Sequence, residues 1–303
     1  MLQPQDRASV MSAMSHICKS LIACLLTLCV MPLATAAEEG WVRGNCTSGT
    51  GVFRWADGER YEGTCRNNVI EGQGTLFLPN GDRYEGQFRN NLKHGQGVYL
   101  FASGDRYQGA FRDGQRNGQG TLQLSNGERY VGNFANDQRS GRGTHHFTNG
   151  ERYEGEWRAD RFDGRGTYFF ANGDRYEGQF RAFERSGEGT FSRTNGEVYR
   201  GQWRNNRQHG QGTKEWPSGD RYEGEWENDR LHGQGTFHYA SGDRYEGEFE
   251  NDELNGRGTY FYENGDHFTG TWLRGQRDGE GMYYPAEGSP ERREFNNGQR
   301  QDR

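Results

Sequence analysis

Residues 82–101 read DRYEGQFRNNLKHGQGVYLF, and this stretch decides the fold. From residue 82 to 89 the side chains alternate in type with a period of two, which is the pattern of a β-strand. A second strand is predicted after the Gly-x-Gly of residues 95–97, because residues that favour β-structure follow it. The stretch therefore predicts one antiparallel hairpin.

The same unit recurs along the chain every 23 residues without an insertion. Each copy carries a Tyr-x-Gly, and a Gly-x-Gly lies eleven residues further on. The marker residues are Tyr61, Tyr84, Tyr107, Tyr130, Tyr153, Tyr176, Tyr199, Tyr222, Tyr245 and, in the tenth place, Phe268. Since 42 of the 48 glycines fall into three repeating columns, glycine here belongs to a repeat architecture rather than to linkers.

The turn between units decides which side chains share a face of the sheet. Asn-Gly, as at residues 80–81, is a strong hairpin signal because glycine adopts a positive φ. A three-residue turn pairs Leu78 with Asp82 and sets Leu76 opposite Tyr84, whereas a two-residue turn would reverse the faces. We favour the three-residue turn because it places Leu76 and its mostly apolar equivalents in the other repeats on the same face as the tyrosine column.

The composition of the 303 residues excludes several classes of protein. Only 30% are hydrophobic, and 41 aromatic residues stand against 26 of Leu, Ile and Val. The net charge of −6, without long blocks of one sign, does not favour nucleic-acid binding. The sequence contains no nucleophile elbow, phosphate loop or cluster of metal ligands, so we predict a non-enzymatic protein without cofactor or metal.

The motif Tyr-Glu-Gly-Glu-Trp at 153–157 and 222–226, followed by Gly-x-Gly within a 23-residue period, resembles the MORN (membrane occupation and recognition nexus) repeat family. About ten copies cover residues 49–284. The resemblance implies an all-β fold, an elongated single-layer antiparallel sheet of stacked hairpins. We assign residues 37–48 to an N-terminal cap and 285–303 to a frayed polar tail.

The N-terminal segment is predicted to be a secretory signal peptide, residues 1–36. Its apolar run from Leu21 to Leu33 follows Lys19 and precedes Ala34-Thr35-Ala36, a pattern typical of signal cleavage. The run is short for a membrane span, which needs about 20 residues. Export to a periplasmic or extracellular compartment is the expectation, and an uncleaved anchor is the alternative.

Removal of that leader would leave two cysteines, Cys46 and Cys65. The predicted register sets Gly49 opposite Cys65, with Cys46 in the turn just before it, so the two sulfurs can meet. Because exported proteins rarely keep free thiols, we predict a disulfide. It would close a loop of about 20 residues and contribute about 3 kcal/mol in the chain-entropy model.

Two columns are candidate binding surfaces. The first is an aromatic strip, which would cover the sheet and could also contact a partner: Tyr107, Tyr130, Tyr153, Tyr176 and Tyr222. The second lies on the opposite face, where arginines with glutamates two residues on form either a solvated ion-pair ladder or a site for anionic head groups. Its candidate residues are Arg106, Arg129, Arg152 and Arg175.

These features predict a repeat scaffold that binds protein, with itself as one candidate partner. Attachment to anionic lipid and binding of glycan through the aromatic strip are the alternatives. The histidines that recur before the Gly-x-Gly are interpreted as turn residues, and the pair at 145–146 lacks an obvious third metal ligand.

Overall fold

The computed structural model describes residues 39–44 and 46–301, and the predicted signal peptide lies outside them. These residues belong to one compact unit, Glu38–Arg303. They form 24 antiparallel strands in a single open sheet, and the described ranges contain no helix. Each strand pairs with the next one along the chain, so the all-β prediction is confirmed.

Each repeat contributes a strand of seven residues and a strand of nine, and shorter strands occupy both ends. The strands are β1 Gly40–Arg43, β2 Ser48–Arg54, β3 Arg60–Arg66, β4 Val69–Phe77, β5 Arg83–Arg89, β6 Leu92–Leu100, β7 Arg106–Arg112, β8 Gln115–Gln123, β9 Arg129–Ala135, β10 Gln138–His146, β11 Arg152–Arg158, β12 Arg161–Phe169, β13 Arg175–Arg181, β14 Glu184–Ser192, β15 Val198–Arg204, β16 Arg207–Glu215, β17 Arg221–Glu227, β18 Arg230–His238, β19 Arg244–Glu250, β20 Glu253–Phe261, β21 His267–Leu273, β22 Gln276–Tyr284, β23 Glu291–Asn296 and β24 Gln299–Arg300.

The turns between repeats have the predicted three-residue form. The N–H of Leu78 donates to the carbonyl of Asp82 at 3.0 Å, and Gly81 has a φ of +89°. Leu76 consequently lies opposite Tyr84, as expected. Within each repeat the second turn has two residues, such as Asn90 and Asn91 with φ of 51° and 65°. Asn and Asp tolerate this left-handed backbone better than most residues do.

The core forms on one face of the sheet, where each tyrosine ring lies over a pair of glycines. A Cβ added at Gly97 would lie 2.5 Å from the ring of Tyr84, so only glycine leaves room for it. The hydroxyl of Tyr84 donates to the carbonyl of Gln87 at 2.9 Å. Phe88 packs edge-on against the tyrosines of its own and the preceding repeat, Tyr84 and Tyr61, with ring centroids 5.1 Å apart in both cases.

Aspartates beside the turns between repeats join neighbouring repeats at one end of the strands. The carboxylate of Asp82 accepts hydrogen bonds from the N–H of Ala102 and the hydroxyl of Tyr99, both at 2.8 Å. Asp243 makes the same pair of contacts, to Glu263 and Tyr260, and they hold the pKa of its carboxyl below the usual value. At the opposite end of the strands, Asn and Asp side chains of the turns within repeats accept hydrogen bonds from backbone N–H groups of the preceding repeat, as Asn91 does from Ile70 at 2.8 Å.

Both ends of the array depart from the repeat. At the N-terminal end Gly49 lies opposite Cys65, and a disulfide joins Cys46 to Cys65 with a Cα–Cα distance of 5.4 Å. At the C-terminal end the expectation of a frayed tail is wrong for residues 291–300. They form β23 and β24, which continue the sheet, because Phe295 enters the aromatic column and packs against Phe268 at 5.3 Å.

Candidate functional site

The predicted aromatic strip is not a surface, and this expectation is corrected. Its five tyrosines are at most 1% exposed, because glycines of the sheet lie beneath each ring and aromatic rings of adjoining repeats pack against it. Their hydroxyls donate to backbone carbonyls three residues on, as Tyr176 does to Gln179 at 3.0 Å. Tyr107, Tyr130, Tyr153, Tyr176 and Tyr222 therefore cannot contact a glycan or a protein partner.

The opposite side of the sheet carries the predicted arginine and glutamate columns, and we call it the arginine face. On it the two columns form ion pairs within a strand, such as Arg83 with Glu85 at 2.8 Å and Arg244 with Glu246 at 3.2 Å. Exposed pairs of this kind contribute at most about 1 kcal/mol each. Several guanidinium groups also lie over aromatic rings, as Arg244 does 4.3 Å from the centroid of Phe261.

The four predicted head-group arginines fall into two classes on this face. Arg152 and Arg175 are ion-paired, each with the glutamate two residues on in its own strand. Arg106 donates instead to the amide oxygen of Gln108 at 2.8 Å, and Arg129 has Val131 in the corresponding position. The sequence carried this signal, since Gln108 and Val131 replace glutamates of the repeat, but the charge consequence was missed.

β7 and β9 therefore carry cations on the arginine face without carboxylates. Alternation along the strands places Arg106, Arg112 and Arg129 there, and all three are exposed. Both Arg106 and Arg129 lie opposite Gln123 of β8, so they flank a neutral residue. The result is a surface of uncompensated positive charge, which we call the basic segment.

The charge is reversed ten strands further along the same face. β17 and β19 present six glutamates against two arginines, Arg221 and Arg244. Four of these glutamates line an open depression together with Arg257 and several threonines. We call the six glutamates the acidic segment: Glu223, Glu225, Glu227, Glu246, Glu248 and Glu250.

A buried polar cluster around His145 was missed from the sequence. His145 takes the position in its repeat that Tyr168 holds in the next one, and it is 2% exposed. Its Nε2 lies 3.0 Å from the carboxylate of Glu128, and its Nδ1 lies 3.1 Å from the guanidinium of Arg139. Burial, and then the charge of Arg139, lower the pKa of His145 to about 3. The neutral ring fits both contacts, donating from Nε2 and accepting at Nδ1.

Two features are absent from the described part of the chain. In residues 39–44 and 46–301, no three His, Cys, Asp or Glu side chains are grouped so as to hold a metal ion. Over the same ranges, no helix has the length and apolar character needed to cross a membrane.

Solved structures with a partial likeness include two TCP domains. One is the TCP10 domain of Danio rerio CPAP in complex with a peptide of STIL, at 13% identity, 73% coverage of this chain, 93% of that chain and a TM-score of 0.37. The other is the TCP domain of Drosophila melanogaster SAS-4 with a proline-rich motif of Ana2, at 15% identity, 57% and 96% coverage and a TM-score of 0.33. Likenesses this weak carry no functional argument.

Comparison by sequence gives a definite family. Comparison with curated proteins found no match. A family model described as the MORN repeat matches eleven successive segments with the 23-residue period. They are 47–60, 61–83, 84–106, 107–129, 130–152, 153–175, 176–198, 199–221, 222–244, 245–267 and 268–288. The matches cover most of the chain and confirm the resemblance found in the sequence: the chain belongs to the MORN-repeat family.

Proposed function

We propose that this chain is a non-enzymatic scaffold that binds protein partners in an exported compartment. The observation that carries the proposal is the arginine face, a regular array of exposed charged columns over a sheet whose core lies entirely on the other side. Within it Glu85 is 63% exposed and Arg83 is 43% exposed. These side chains are held in rows by the strands and are available to a partner.

The buried chemistry favours binding over catalysis. Most of the large shifts of pKa fall on buried tyrosines of the core, and at Tyr107 burial raises the pKa to about 12. These hydroxyls are hydrogen-bonded to backbone carbonyls beneath packed rings, so a substrate cannot reach them. Perturbed groups of this kind indicate a structural role rather than an active site.

Affinity capture with residues 38–303 as bait tests the proposal. We expect the bait to retain specific proteins from the exported fraction of the native cell. The matched bait carries R106E and R129E, which reverse charge only in the basic segment, on the exposed face of the sheet. Proteins that bind the wild-type bait but not this variant would be assigned to the arginine face. Equal recovery on both baits and on blank resin would contradict the scaffold function.

A second candidate function, attachment to anionic lipid, is favoured by one observation, the uncompensated Arg106 and Arg129. Anionic head groups attract such side chains at about 1 kcal/mol each near a membrane surface. Sedimentation with vesicles of phosphatidylserine and phosphatidylcholine tests it. Lipid-dependent pelleting that is lost in the R106E and R129E variant supports this function, and absence of pelleting at low salt removes it.

Export itself is part of the proposal and needs its own measurement. We expect the chain isolated from its native compartment to begin after Ala36, because the apolar run and the small residues that follow it fit signal cleavage. N-terminal sequencing of material from fractionated cells reports this directly. A full-length N-terminus in cytosolic material would contradict export.

A further inference from the structure

The two charged segments of the arginine face have matching geometry. Arg106 and Arg129 flank Gln123 across β8, and Glu223 and Glu246 flank Thr236 across β18 in the same way. Each pair is separated by 23 residues and two strand spacings, or about 10 Å. An acidic segment laid on a basic segment therefore finds charges of opposite sign at the same interval.

The segments cannot neutralise each other along their own sheet. Ten strand spacings separate β7 from β17, about 48 Å along the sheet. That separation is several times the screening length of about 8 Å at physiological salt. Only a second molecule can bring the two segments into contact through this geometry.

Local compensation is also incomplete within each segment. Arg106 has a neutral hydrogen-bond partner in Gln108, and nothing acidic lies beside Arg129 on β9. In the acidic segment, Glu223 and Glu246 are paired with arginines of their own strands, whereas Glu225 and Glu248 accept from the backbone N–H groups of Gln234 and Arg257. Each segment thus presents net charge to solvent.

We propose that the arginine face is a self-association surface, on which the basic segment of one copy docks against the acidic segment of a second copy of this chain. The inference rests on the scaffold function proposed above and names one partner for it. Because both surfaces belong to one chain and share one period, this occupant satisfies the complementarity without a further protein.

Analytical ultracentrifugation of residues 38–303 tests the association. We expect concentration-dependent self-association at about 20 mM salt, with a dissociation constant at least about tenfold weaker at about 500 mM salt, since exposed charge pairs are screened. A monomer at all salt and protein concentrations overturns the inference, even if the same chain captures other proteins or pellets with vesicles. Captured proteins would leave the scaffold function standing, so the two failures are distinguishable.

Charge reversal assigns the contact to the two segments. R106E with R129E makes the basic segment negative, and E223R with E246R makes the two matching positions of the acidic segment positive. Each variant alone should be monomeric, and an equimolar mixture should associate with about the wild-type dissociation constant, because opposite charges meet again.

The matched control is R60E with R83E. It changes the net charge by the same amount as R106E with R129E, but both substitutions lie outside the two segments. It should associate as the wild type does. Circular dichroism and thermal melting check that each variant is folded. Association of the single variants, a mixture that stays monomeric, or loss of association in the control would each overturn the assignment.

Discussion

Each core tyrosine covers two glycines with its ring and satisfies a backbone carbonyl with its hydroxyl. Burial consequently raises the pKa of these hydroxyls, to about 12 for Tyr61 and Tyr107. A raised pKa in the folded state means that the protonated form is favoured by folding. Its contribution to stability is complete below the unfolded value of about 10 and is lost as the pH rises through about 12.

We therefore expect the chain to lose stability in alkali because these tyrosines must ionise when it unfolds. The urea concentration at the midpoint of unfolding should be lower at about pH 11 than at about pH 9, because the unfolded tyrosines ionise with a pKa of about 10. Phenolate absorbance of the native chain should rise at higher pH than that of the urea-unfolded chain. Coincident titration curves in the two states would contradict the buried position of the column.

His145 gives the opposite dependence at acid pH. Its pKa is lowered to about 3, so its neutral form is favoured by folding. That contribution is present above the unfolded value of about 6.5 and is lost as the pH falls toward 3, by up to about 1.4 kcal/mol per pH unit.

We expect His145→Tyr to remove most of this acid sensitivity. In the next repeat Tyr168 donates to Glu151 at 2.5 Å, and a tyrosine at 145 would face Glu128 in the same way. The matched control is His146→Gln, since His146 is exposed and Gln123 holds the same position in the preceding repeat. Unfolding free energies at about pH 7 and pH 4 measure the effect. If the free energy of unfolding of His145→Tyr falls with pH as it does in the wild type, His145 is not the source of the acid sensitivity.

At the scale of the element, paired strands approach closely where two glycines face each other. A Cβ at Gly120 would lie 2.4 Å from the ring of Tyr107, although its backbone is extended. We expect Gly120→Ala to cost about 1–3 kcal/mol, because the ring has no room to move. Gly150→Ala is the control, since its Cβ meets nothing within 4 Å and only its φ of +86° opposes alanine. Equal costs in urea unfolding would contradict the ring contact.

The first hairpin is the element that the disulfide concerns. Reduction, or Cys65→Ser, should lower the free energy of unfolding by about 3 kcal/mol, because a loop with a sequence separation of 19 is opened in the unfolded chain. Non-reducing mass spectrometry of exported material should show Cys46 bonded to Cys65. Free thiols at both positions would show that the prediction is wrong.

The elements were largely predictable because glycine and turn chemistry fix them locally. Asn-Gly turns set the pairing of Leu78 with Asp82, and the structure has that register. The depth of burial was not predictable from alternation, which tells the face of a side chain but not what covers it. Tyr153 is buried because Phe180 of the following repeat packs against it, a contact between residues 27 positions apart. The cluster of His145 with Arg139 and Glu128 escaped for the same reason.

At the scale of the molecule, a constant period makes the sheet modular. Each repeat packs against the repeats beside it, as Phe88 does against Tyr61, so stability is approximately a sum of repeat terms and neighbour terms. We expect deletion of 153–175 to leave a folded chain, because Arg152 then joins Tyr176 in the normal register. Deletion of 153–164 is the control, which removes half a repeat and mismatches the strands. Far-ultraviolet circular dichroism and melting compare them, and equal folding of both would contradict a fixed register.

The one-sided core has a consequence for how such a protein acquires specificity. Since the rings and glycines that hold the sheet together lie on one face, side chains on the arginine face are free to change without repacking an interior. The step from glutamate to Gln108 and Val131 shows the result, a local change of sign within an unchanged backbone. Because the charged side chains lie at a fixed spacing on an unchanged backbone, a substitution in one repeat can change which partner is recognised there without altering the rest of the sheet.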